Sequence, residues 1–148
     1  MWATALALWG LVATTNRTQR RNKGPPISNE PVFVIDFENV RGKSGFVLSH
    51  QRTLEALKVW SHGKQVVLAT DHGDVSSSFV LPEFSMVFCG NHRKADDCIV
   101  NDILPMLTTA TENHLVLRTI VITGDRPLMQ RCQRVSRFIE IGSPIRLL

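Results

Sequence analysis

Three apolar runs in this chain, PVFVID (31–36), KQVVLATD (64–71) and LRTIVITGD (117–125), each stop at an aspartate. Continuous apolar runs of this length, rich in β-branched residues, belong to strands buried on both faces, which means a parallel sheet covered by helices. FSMVFCG (84–90) and RFIEIG (137–142) read as two further strands. Helical patterns fall between them. SHQRTLEALKVWSHG (49–63) reads as a helix with a glycine stop, burying Leu54, Leu57 and Trp60. ADDCIVNDILPMLTTATEN (95–113) reads as a helix that Pro105 kinks or interrupts, and RPLMQRCQRV (126–135) as a short one. RGKSG (41–45) reads as a flexible basic loop, and the stretch after Asp71 as a polar connection. The alternation predicts an α/β fold: a single doubly wound, mainly parallel sheet with flanking helices, a Rossmann-like architecture.

The chain has 148 residues, 43% of them hydrophobic and 20% charged, which suits one folded domain with a core that needs no staples. The formal charge of +4 sits mostly at the start, where Arg17, Arg20, Arg21 and Lys23 oppose Glu30 alone. Residues 1–30 are therefore read as a leader and linker, and 31–148 as the domain. Residues 2–13 are apolar but too short for a comfortable membrane span. The basic residues follow the apolar run instead of preceding it, unlike a secretory signal, and the absence of acids before Glu30 with arginine and threonine enrichment fits an organellar transit peptide better. A short membrane anchor is the competing reading. Cys89, Cys98 and Cys132 form no CxxC pair, and the five histidines have no zinc spacing. Buried, reduced thiols and no structural zinc are expected.

In an open parallel sheet, ligands bind beyond the carboxyl ends of the strands. Asp36 and Asp125 end the two most hydrophobic runs, which predicts central, adjacent strands with both carboxylates at that edge. Aspartate also begins many ordinary turns, so one such residue says little; several on one edge say more. Asp96 is the sharper observation. At about 100° per residue, Asp96, Val100, Ile103 and Leu107 share one helical stripe, while Asn101 and Asp102 point elsewhere. A carboxylate thus opens the line that faces the sheet, with Asp97 beside it in a supporting position.

The rival reading of FVIDFENVRGKSG (33–45), a phosphate-cradling P-loop, fails on spacing, because Phe37 stands where the first glycine is required. Clustered carboxylates repel one another unless a cation neutralises them. Oxygen donors without cysteine or histidine suit Mg²⁺ or Mn²⁺, and such ions grip substrate phosphates. The matching reaction is metal-assisted hydrolysis of a phosphodiester.

VIDFENV, KADDCIVNDIL and VITGDRPLM resemble the three signature segments of NYN-domain ribonucleases of the PIN-like superfamily, with the similarity closest to the YacP-like branch. The resemblance runs from residue 32 to about 145. It implies a PIN-like/NYN fold, with Asp36, Asp96 and Asp125 as metal-binding catalytic carboxylates and Asn39 and Asp97 in support. It further implies single-stranded or structured RNA as substrate; ribosome-associated RNA is one candidate target, and no small-molecule cofactor is expected. The segment between Asp71 and Phe84 is short and serine-rich, which puts in doubt any family contact made there. Arg41, Lys43, Arg93, Lys94 and Arg126 each lie within a few residues of a key acid and form a candidate RNA-binding ring. Phe37 and Phe46 are the loop aromatics available for stacking. Two other readings compete. A haloacid-dehalogenase-like phosphatase would use Asp36, Glu38, Thr70 and Gly124-Asp125, but it lacks a late acid, since Leu128, Met129 and Gln130 occupy that region. A PIN-like RNA-binding module that does not cut would keep the same fold.

Overall fold

In the computed structural model, which describes residues 29–43, 45–71, 77–80, 84–90, 93–109 and 116–144, the first apolar run forms β1 (Val32–Asp36). It is followed without a loop by α1 (Phe37–Lys43) and then by α2 (His50–Trp60). The chain continues through β2 (Gln65–Thr70), β3 (Ser77–Val80) and β4 (Phe84–Phe88). Next come α3 (Ala95–Cys98), a π-helical turn (Ile99–Ile103) and α4 (Leu104–Thr108), in unbroken succession. The last elements are β5 (Thr119–Ile122), α5 (Arg126–Val135) and β6 (Ile139–Gly142).

The strands form one sheet in the order β3-β4-β2-β1-β5-β6. Five of them are parallel, and β3 runs antiparallel to β4 at one edge. The expected α/β architecture is therefore present, with β1 and β5 central and adjacent. Helices cover both faces. Phe37 and Val40 of α1 and Leu57 of α2 pack with Ile35, Leu68 and Ile122. On the other face, Cys98, Ile99, Ile103, Leu104 and Leu107 join Leu128 and Cys132 of α5 against Val32, Val34, Val67 and Val121. Fully burying one such aliphatic side chain stabilises by about 1.5–3 kcal/mol. All three cysteines are buried free thiols, as expected.

Four local expectations need correction or refinement. The stretch read as a basic loop is helical through Lys43. Phe37 and Val40 give it an apolar face, and Glu38 in its first turn with Arg41 and Lys43 in its last complement the helix dipole. Phe37 is consequently buried and unavailable for stacking. The polar connection after Asp71 contains the edge strand β3, whose Phe79 and Val80 carry the β propensity. The long helix stops at Thr108 instead of running to 113, with Thr109 extended. Pro105 is accommodated by the π turn before it, where the Leu104 N–H reaches the carbonyl of Ile99. This shifts the helical phase, so the buried line is Ile99, Ile103 and Leu107, with Val100 only half-buried.

The α2 boundaries follow from local chemistry. Ser49 accepts from the Arg52 N–H at 3.2 Å as N-cap, and Gly63 at φ +70° turns the chain into β2. Leu57 is fully buried, Leu54 and Trp60 are half-buried, and Trp60 meets Phe33 edge-on at 5.0 Å. Among the described residues no helix is long and apolar enough to cross a membrane. The leader, and with it the transit-peptide and anchor readings, lies outside the described residues, as do His72, His92 and His114.

Candidate functional site

Side-chain alternation along the strands decides which carboxylates meet. Val32 and Val34 of β1, Val67 and Ala69 of β2, and Val121 of β5 face the layer formed by α3, the π turn and α5. Two residues further on, the same parity gives Asp36, Asp71 and Thr123. Their contacts agree. The Thr123 hydroxyl donates to Asp36 Oδ2 at 3.3 Å, and Asp71 Oδ1 accepts from the Ala95 N–H at the start of α3. That second bond anchors the helix bearing Asp96 to the end of β2.

Asp36 is 5% exposed. Its Oδ1 accepts from the Asn39 N–H at 3.4 Å. Burial, then the nearby Asp96 carboxylate, push its pKa up to about 7, and Asp71 adds to the effect against the two hydrogen bonds. Asp96, half-buried, is also shifted upward, first by desolvation and then by Asp125, with Arg131 opposing. Asp36, Asp71, Asp96 and Asp125 are thus one electrostatic group around the ends of β1, β2 and β5. Asp125 caps α5 by accepting from the Leu128 N–H at 3.2 Å, and its own N–H donates to Thr123 Oγ at 3.1 Å.

The supporting residues act through other partners than a ligand role would use. Asn39 Oδ1 accepts from the Gly124 N–H at 2.6 Å, tying α1 to the turn that carries Asp125. Asp97 turns to α5, where Arg131 donates to it at 2.7 Å. Sequence reasoning passed over Arg131, Asp71 and Thr123 as site residues. Asp71 shared the strand-end signal and Thr123 lay within a quoted motif. Arg131 carried no signal until α5 was packed beside α3.

The candidate basic ring is only partly assembled. Lys43 lies flat over the Gly124 turn: a β-carbon built on Gly124 would stand 2.5 Å from Lys43 Cε and 3.1 Å from its Nζ. Arg41 pairs with Glu38 at 3.3 Å and covers the Phe46 ring at 4.8 Å. Arg93 pairs with Asp102 at 2.6 Å, and its guanidinium also donates to the Asp97 carbonyl at 3.4 Å. Lys94, at the N-cap of α3, and Arg126, opening α5, are exposed. Asp102 is turned outward, as its helical angle predicted.

Among the described residues no three His, Cys, Asp or Glu side chains converge closely enough to enclose an ion by themselves. The donor chemistry nevertheless fits Mg²⁺ or Mn²⁺, which retain several waters and use only one or two carboxylates directly. Burial, and then the repulsion of Asp96 on Asp36 and of Asp125 on Asp96, raise these two carboxyls, and a bound cation would offset both costs.

No family model matches this chain, and no curated protein or solved structure matches it.

Proposed function

We propose that this chain is a metal-dependent ribonuclease of PIN-like, NYN type that hydrolyses RNA phosphodiester bonds at the sheet edge formed by Asp36, Asp96 and Asp125. One observation carries the reading: these carboxylates, on three separate elements, share an edge where burial and mutual repulsion raise Asp36 to about 7. Such an arrangement is costly for folding alone and is useful for holding a cation. Mg²⁺ or Mn²⁺ held by Asp36, Asp96 and Asp125 would supply charge neutralisation of the phosphate and of the attacking water. The chain's own groups orient the site. Thr123 and the Asn39 amide fix the two oxygens of Asp36, and Arg131 holds Asp97 beside Asp96. Lys43, laid over Gly124, brings a positive charge to the edge where a phosphate would sit.

The phosphatase reading is less well supported. It needs Glu38 as proton donor beside Asp36, yet Glu38 engages Arg41 at 3.3 Å and His50 at 3.1 Å.

The deciding assay incubates the full chain with fluorescent single-stranded RNA in Mg²⁺, Mn²⁺ or EDTA. Cleavage should appear with either metal and vanish with EDTA. Hydrolysis of a small phosphomonoester with RNA left intact would support the phosphatase instead, and metal-independent RNA binding without cleavage would support a binding module.

Gly124→Ala tests the Lys43 placement. Gly124 has no positive φ, so alanine fits its backbone; the group chiefly displaced is the flexible end of Lys43, while Asn39 Oδ1, at 3.3 Å from the added β-carbon, must give by a few tenths of an ångström. RNA affinity should fall as far as in Lys43→Ala, with the salt slope reduced by about 0.7. Melting should stay near wild type. Affinity unchanged by both substitutions would remove Lys43 from the substrate path.

A further inference from the structure

Phe46 is the one large aromatic among the described residues left prominently exposed, at 58%. It is also held there against its own backbone preference. Its φ of +58° lies in the left-handed region, which bulky residues rarely occupy. The turn that imposes it ends α1: the Gly45 N–H bonds to the Gly42 carbonyl at 2.9 Å and the Phe46 N–H to the Arg41 carbonyl at 3.3 Å. The ring then lies over Gly42, where a β-carbon would come within 3.1 Å of Phe46 Cζ. Arg41 stands 4.8 Å from the ring centroid. Val47, 83% exposed, follows directly.

We infer that Phe46, backed by Gly42 and Arg41, is a stacking platform for an unpaired nucleobase of the RNA strand whose phosphate occupies the carboxylate edge. This rests on the proposed nuclease reading and deepens it by specifying a single-stranded substrate. Three observations favour a base over a protein side chain. The platform is continuous with the site, because α1 starts directly after Asp36 and carries Asn39 and Lys43 to Gly124 before the chain reaches Phe46. At 1.5 Å per residue, the six residues from Asp36 to Gly42 span about 9 Å, the reach of one or two nucleotides. The flanking charges are Arg41 and Lys43, which complement a phosphate backbone. A flat ring next to guanidinium and ammonium groups is how sequence-tolerant single-strand binders hold bases.

The test compares the full-length wild type with Phe46→Ala, Phe46→Leu and Phe46→Trp. Binding is read by anisotropy on a non-cleavable single-stranded oligonucleotide, without metal, and on a series carrying one abasic nucleotide at successive positions. Phe46→Ala and Phe46→Leu should each weaken binding about tenfold or more, while Phe46→Trp should bind at least as well as wild type. Salt dependence should not change, since no charge is lost. At one position, the abasic nucleotide should abolish the difference between wild type and Phe46→Ala. In cleavage, KM should rise while kcat holds. Equal oligonucleotide affinity in all four proteins overturns the platform and leaves a protein contact as the use of this tip. A loss in Phe46→Ala that no abasic position removes overturns stacking as well. If the abasic signature appears but no RNA is cut in any metal, the platform stands and the nuclease reading falls. If RNA is cut with unchanged KM in Phe46→Ala, the reverse holds.

Discussion

Asp36→Asn, Asp96→Asn and Asp125→Asn are each expected to lower the rate of RNA cleavage by about a thousandfold, whereas Asp102→Asn changes it less than about twofold. The reason lies in where each charge sits. Asp36 ends the central strand and is buried against Thr123. Asp96 is close enough to be raised by Asp125, and it raises Asp36 in turn. Removing any of the three charges weakens the field that would hold a cation. Asp125→Asn is the most informative of them, because asparagine caps a helix as well as aspartate does. The bond to the Leu128 N–H survives, α5 keeps its start, and lost activity reports lost charge alone. Asp102 faces away and pairs with Arg93 across two partly exposed side chains, a contact worth about 1 kcal/mol at most. Initial rates on one RNA substrate at saturating Mn²⁺ check the series. Equal damage from Asp102→Asn and Asp96→Asn would mean that the acidic surface as a whole, and not this edge, supports the reaction.

Without metal, the folded chain should lose stability as pH rises from about 4 to 7 and level off above that. Asp36 has its pKa raised from 3.8 to about 7 in the folded state, so across this window the folded chain retains a proton that the unfolded chain has released. Ionising Asp36 at higher pH therefore costs folding free energy, on the order of 4 kcal/mol if the full shift is felt. Asp36→Asn removes that cost. In EDTA at pH 8 it should melt about 5–15 °C above wild type, and at pH 4 the two should nearly coincide. Asparagine keeps an oxygen for the Asn39 N–H, and its amide can donate to the Thr123 hydroxyl. Millimolar Mg²⁺ should raise the wild-type melting temperature and leave the variant unmoved, narrowing the gap. Differential scanning calorimetry across pH reads all of this. A flat wild-type profile from pH 4 to 8 would show that Asp36 is ionised without penalty, and the electrostatic basis of the site would be lost. A substitution expected to abolish most of the cleavage is thus also expected to stabilise the metal-free fold.

Much of the site was legible locally. The runs 31–36, 64–71 and 117–125 carry their burial in their composition, and the parallel sheet follows from alternation with helices. The adjacency of the two strands followed from their being the most apolar runs, and the pairing of β1 with β5 agrees, but β5 stops at Ile122 and Asp125 caps α5 beyond it. The stripe argument aimed Asp96 at the sheet and Asp102 outward, because helical angle is a property of spacing. It misplaced Val100 because Pro105 induces a π turn whose extra residue changes the phase.

The sequence by itself thus determined the five parallel strands, most of the helices between them and the edge at which the acids gather, but not α1, β3 or the π turn. Each of these depends on signals within a dozen residues: apolar period, caps and turn residues. The tertiary structure alone decided which groups feel one another. Helix α1 was hidden because Gly42 and Gly45 read as loop residues, while its apolar contacts, Phe37 and Val40, find their partners in β1, β2 and α2. Arg131 reaches Asp97 across 34 positions, and Asn39 reaches Gly124 across 85. The rise of Asp36 to about 7 comes from burial beneath elements distant in the chain and from charges 60 and 35 residues away, at Asp96 and Asp71. Coulomb and desolvation energies depend on separation in space, and local sequence patterning does not encode that separation.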